Sequence, residues 1–143
     1  MKKKSLSVFL ALLLLLIPLT ALGTTRNISS GKIVQPLTYQ ILAGGTSQLA
    51  DLGDRTINIS GSTSTYYSVS QVGLILHLQY SSNGNWYTLQ TYNYTGYNTS
   101  YVSGGQHLAV SPGYYYRVFA EHTAYNGSTY ETGYSYTEAV YIP

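Results

Sequence analysis

The side chains able to do chemistry in this 143-residue chain are three histidines, five acids, one tryptophan and 17 tyrosines, with no cysteine among them. Catalysis or metal binding needs such groups to converge. His77, His107 and His122 fall on different predicted strands with no close-spaced pair, so no zinc spacing emerges and surface or loop positions account for them. Gly133-Tyr134-Ser135-Tyr136-Thr137 approaches a nucleophile elbow but lacks the second glycine and a following helix, which leaves Ser135 an ordinary strand residue. Asp51 and Asp54 lie in a glycine-containing loop without the further oxygen ligands of a calcium loop; an Asx-type turn explains either. Glu121 and Glu131 would approach each other across an Asn126-Gly127 hairpin, as a glycosidase pair must, although exposed edge charges explain them equally well. Asn-x-Ser/Thr triplets at Asn27, Asn58, Asn93, Asn98 and Asn126 are glycan acceptors only in a eukaryotic export route, and chance suffices for them in so Asn/Ser/Thr-rich a chain. No cofactor or metal is implied.

The aromatic load is the stronger signal. A β core cannot hide so many phenols without stranding hydroxyls, so several rings must stand at the surface. Which rings do so depends on the elements that carry them.

Lys2, Lys3 and Lys4, the apolar run from Val8 to Ile17 and Ala21-Leu22-Gly23 read as a secretory signal over residues 1–23. The run breaks at Pro18, short of the roughly 20 residues of a spanning helix, so no stable membrane insertion is expected after cleavage. Beyond it, Arg26, Lys32, Arg55 and Arg117 face five acids, a net charge of −1. That balance offers nothing to phosphates, and nucleic-acid partners are excluded on electrostatic grounds. Without disulfides or a lipid-bearing cysteine, the exported fold must rest on its core.

Residues 24–31 read as a flexible polar lead-in and 32–143 as one all-β domain. Good helix formers are scarce, and β-rich runs recur at Lys32–Leu42, Thr56–Tyr66, Gln71–Tyr80, Trp86–Tyr94, Thr99–Val110, Tyr114–His122 and Gly133–Ile142, with Gly44–Asp54 as a loop. About seven short strands suit an antiparallel β-sandwich. Asn83-Gly84 favours a two-residue type I′ turn whose register pairs Ser82 with Asn85, Tyr80 with Tyr87 and Leu78 with Leu89. Leu74, Leu76, Leu78, Tyr80 and Leu89 then face inward, and Ile75, His77, Gln79, Trp86, Thr88, Gln90 and Tyr92 outward. A two-residue turn at Asn126-Gly127 would turn Val140 and Ile142 outward, so a bulge or longer loop is expected there.

The segment Val110-Ser111-Pro112-Gly113-Tyr114-Tyr115-Tyr116-Arg117-Val118-Phe119-Ala120 resembles the end of a fibronectin type III domain. The resemblance covers about a third of the chain, and the tryptophan usual on that family's second strand is absent. It implies a fibronectin type III-like, immunoglobulin-like sandwich in which Tyr116 closes a corner by bonding upstream backbone. The chain as a whole is similar to small secreted proteins of Gram-positive bacteria, which implies an extracellular or loosely wall-associated location. With Tyr116 inward, Tyr115, Arg117 and Phe119 face outward beside Trp86, Tyr92, Gln79 and Gln90. Those seven residues are the candidate ligand site of a non-enzymatic binding module for carbohydrate or a cell-surface protein. A self-assembling extracellular component is the alternative, and a small hydrolase with converging Glu, His and Ser the third.

Overall fold

The computed structural model describes residues 27–32 and 39–143; the expected signal segment lies outside them. The protein is all-β. Its strands are β1 (Ile28–Lys32), β2 (Leu42–Gly53), β3 (Thr56–Ser82), β4 (Asn85–Ala109), β5 (Tyr114–Tyr125), β6 (Tyr130–Tyr136) and β7 (Val140–Ile142). They form one antiparallel, nearly closed sheet in the order β1-β2-β3-β5-β6, with β4 on β3 and β7 on β5.

The long strand β3 organises this arrangement. Residues 56–65 pair with β2 and with the second half of β4, whereas residues 71–80 pair with β5 and the first half of β4. Between these stretches the β3–β4 register shifts from Ser64↔Tyr101 to Val69↔Thr99, so β3 has four unpaired residues where β4 has one. The surplus bends the sheet into two arms. As a result β2 packs over β5 and β6, and β1 approaches β6.

The core fills the space between the arms. Leu74, Leu76 and Leu78 of β3 are buried there with Leu49 of β2 and Val118 and Ala120 of β5. At the β3–β4 turn Asn83 and Gly84 have φ of 52° and 78°, the backbone of a type I′ turn, and Ser82↔Asn85 and Tyr80↔Tyr87 pair as expected. Tyr116 is also buried, and its hydroxyl donates to the Ser111 carbonyl at 2.8 Å, so the expected corner bond forms.

Several expectations need correction. Of the expected loop Gly44–Asp54, all but Asp54 is strand β2, and residues 28–31 of the polar lead-in form most of β1. Gly44-Gly45, at the start of that expected loop, lies in β2, where Gly45 packs closely against the His122 ring. Of the pair Asp51 and Asp54, Asp51 makes the Asx-type bond, accepting from Gly53 N at 2.9 Å, while Asp54 and Arg55 form the turn with φ of 51° and 59°. Two expected pairs of separate strands are the continuous β3 and β4. Beyond Tyr87 a bulge inserts Leu89: Gln79 pairs with Thr88 and Leu78 with Gln90, so Leu89 is exposed.

The end of the chain shows the same device. Tyr125 pairs with Tyr130, giving a four-residue loop, but two added residues leave the alternation unchanged. An extra residue between Thr137 and Val140 reverses it, and Val140 and Ile142 enter the core opposite Tyr116 and Tyr114. The segment entering β2 is fastened to β6. Glu131 accepts backbone N–H bonds from Gln40, Ile41 and Leu42 at 2.8, 2.9 and 2.8 Å, and Tyr39 donates its hydroxyl to the Thr132 carbonyl. Burial raises the pKa of Glu131, but the three N–H bonds lower it more, so the net shift is downward.

Candidate functional site

The outer side of the β3–β5–β6 arm is set by alternation. Leu76, Leu78, Val118 and Ala120 turn inward, so His77, Gln79, Arg117 and Phe119 turn outward, with Tyr136 opposite Phe119. Trp86, opposite Ser81, reaches the same side, and its ring centroid lies 4.2 Å from the Arg117 guanidinium carbon. That carbon is also 5.1 Å from the Tyr136 ring. Phe119 sits on the middle strand between Tyr136, at 4.7 Å and 18°, and His77, at 5.2 Å and 15°. Tyr134 stacks on Phe119 at 5.7 Å. A continuous π row thus runs from Trp86 through Arg117, Tyr136 and Phe119 to His77.

Polar bonds hold the row in place. Arg117 Nε donates to Gln79 Oε1 at 2.9 Å, His77 Nε2 lies 2.8 Å from Glu121 Oε1, and His77 Nδ1 lies 2.9 Å from Thr91 Oγ1. Partial burial lowers the Arg117 pKa, against a smaller rise from Tyr136, yet an arginine stays cationic at any working pH. Contacts of this kind contribute about 0.5–1 kcal/mol each at exposed sites, enough to order side chains rather than to hold a fold.

Of the seven candidate residues, Trp86, Tyr115, Arg117, Phe119 and Gln79 share this face, Tyr115 packing on Tyr141 at 5.1 Å. Gln90 and Tyr92 do not. The Leu89 bulge pairs them with Leu78 and Leu76, so both turn to the opposite side, where Tyr92 packs on the core and its hydroxyl bonds Gln90 Oε1. Tyr134 and Tyr136 take their place, residues that a correct β5–β6 register would have named.

The other chemical groups are placed as follows. Glu121 faces outward opposite Tyr134, whereas Glu131 lies opposite buried Ala124, so these carboxylates stand on opposite sides of the sheet and form no glycosidase pair. His122, expected at the surface, is fully buried. Continuing the alternation from Tyr116 through Val118 and Ala120 would have found it. Its Nδ1 lies 2.8 Å from Thr63 Oγ1 and its Nε2 2.9 Å from Ser135 Oγ, which is 2.9 Å from Ser47 Oγ. Ser135 is therefore more than an ordinary strand residue, but this Ser–His pair lies sealed between the arms. A cavity of about 520 Å³ opens between β1 and β7 beside Ser29, Asp51 and Glu138, and no histidine lines it. Among the described residues, no three His, Asp or Glu side chains come together to hold a cation.

No family model, curated protein or solved structure matches the chain. Function has to be argued from this chain's own geometry.

Proposed function

We propose that the chain is an exported, non-enzymatic β-sandwich of fibronectin type III-like build that binds a partner outside the cell through the outer face of the β3–β5–β6 arm. The π row from Trp86 to His77 carries this reading. A core needs no such row, yet five side chains from four strands are ordered there by mutual contacts at the surface. The Tyr116 corner supports the fibronectin-like build. The lysine-led apolar start supports export, with a Gram-positive surface or its surroundings as the place of action. Ligands of this face are carbohydrate or cell-surface protein.

The test is retention on cell-envelope material and on immobilised glycans and proteins. Trp86→Ala is expected to abolish retention while changing fold stability by no more than about 1 kcal/mol, since its ring is only partly buried. If the unmodified protein is held by none of these, the binding role fails.

A second reading, self-assembly, is favoured by one observation. Among the described strands β4 pairs only with β3, leaving one edge of a 25-residue strand that contains neither a charged residue nor proline. The other outer strands are short, and β1 and β6 carry Lys32 and Glu131. Long uncharged edges are templates for strand addition. Sedimentation should then show association that grows with concentration and is suppressed by Thr95→Lys; a monomer at millimolar concentration sinks this reading.

A further inference from the structure

The binding face described above has an unfilled donor set at one end. Gln79 occupies the Nε–H of Arg117, and Trp86 and Tyr136 flank the guanidinium. None of these contacts uses the Nη groups, which have no hydrogen-bond partner among the described residues. No carboxylate there pairs with Arg117: Glu121, on the same face, is bonded to His77. A guanidinium oriented in this way presents a ready two-pronged fit to a planar oxyanion.

The aromatic neighbours point to the same chemistry. Phe119 is stacked between Tyr136 and His77, so these rings turn edges rather than broad faces outward. Ring edges are the electropositive part of an aromatic, and the phenols of Tyr134 and Tyr136 make no hydrogen bond among the described residues. The surface therefore favours acceptor-rich groups over flat apolar ones. Backbone N–H and C=O groups of β3 and β5 beneath it are committed to neighbours on both sides, so a ligand on the middle of this face is met by side chains and not by strand pairing.

Resting on the binding role proposed above, we propose that this face recognises a carboxylated saccharide, a sugar chain bearing uronate groups, with the Nη donors of Arg117 gripping the carboxylate and the tyrosine hydroxyls meeting its hydroxyls. Charge complementarity carries the assignment. Arg117 is the cation that strand alternation places on this face, and among the described residues no acid pairs with it.

Affinity electrophoresis of the purified protein through gels containing polygalacturonate, its methyl ester or polyglutamate tests this directly. The free-acid polymer should retard the protein at least tenfold more strongly than the ester. Arg117→Gln should weaken that binding roughly ten- to hundredfold, and Arg117→Lys should restore only part of it, because an ammonium cannot grip two oxygens in a plane. Equal retardation by the ester, or no effect of Arg117→Gln, overturns the carboxylate assignment; if Trp86→Ala still abolishes retention, the binding face itself survives that result. Equal, Arg117-dependent retardation by polyglutamate overturns the saccharide and indicates an acidic peptide. Absence of retardation in all three gels overturns the proposal. The ester comparison uses unmodified protein, so it decides even if a variant misfolds.

Discussion

Gly45→Ala is expected to destabilise the protein by about 3 kcal/mol, the upper part of the usual range for overpacking a core. A Cβ at this position would stand 2.4 Å from His122 Nδ1 and 2.5 Å from Cγ, inside any permitted contact. His122 cannot swing aside, because both ring nitrogens are engaged, by Thr63 and by Ser135, and the ring has no exposed surface. Denaturant midpoints of four proteins check this: the unmodified chain, Gly45→Ala, His122→Ala and the double variant. Removing the imidazole opens the space that the new methyl needs, so the Gly45 substitution should cost under about 1 kcal/mol in the His122→Ala background. Equal costs in both backgrounds would mean that the clash is not with this ring.

Acid should weaken the same interior. Burial pushes the His122 pKa down from 6.5 to about 4, a smaller opposing effect coming from a bond to the Ser62 backbone. Thr63 donates its hydroxyl to the Gly73 carbonyl at 2.9 Å and Ser135 donates to Ser47 Oγ at 2.9 Å, so the imidazole sits within a connected set of buried hydroxyls. Above pH 6.5 the ring is neutral whether the chain is folded or not, and this group leaves stability independent of pH. Between pH 6.5 and about 4 the unfolded chain takes up a proton that the folded chain refuses, and stability falls by up to about 3 kcal/mol, near 1.4 kcal/mol per pH unit. Glu131 adds a loss at lower pH: its folded pKa lies below 4.5, so the stabilisation it gives is present above that value and disappears as pH drops through the folded one. Urea melts from pH 7.5 to 3.5, with the His122 imidazole followed by NMR, measure both. A flat profile from pH 7 to 5, or an imidazole titrating near 6.5, would show that the ring is reached by water.

How much of this could be read in advance depended on whether a local signal existed. Asn83-Gly84 specifies its turn through positive φ, and the register beside it followed for three residue pairs. Alternation from Tyr116 placed Val118 and Ala120 inside and Arg117 and Phe119 outside, which located most of the candidate face. Counting by twos failed at Leu89 and again between Thr137 and Val140, since a single inserted residue reverses every later side chain and leaves no mark in composition. The first bulge moved Gln90 and Tyr92 to the wrong side. For the second, the conflict over where Val140 and Ile142 would point led to an expected bulge or longer loop at Asn126-Gly127, and the inserted residue lies farther on, between Thr137 and Val140. Gly44-Gly45 misled for another reason: glycine serves tight turns and close packing alike, and only the distant His122 tells which.

The unbroken course of β3 through both arms ties their fates together. Residues 56–65 of this one strand pair with β2 and residues 71–80 with β5, and β4 pairs with both stretches, so neither arm can lose its part of β3 and β4 without drawing on strands that the other arm shares. Detaching β3 would strip both halves at once, so the two arms are expected to unfold together as one event. For a chain without a disulfide to staple it, that shared spine is what withstands partial opening.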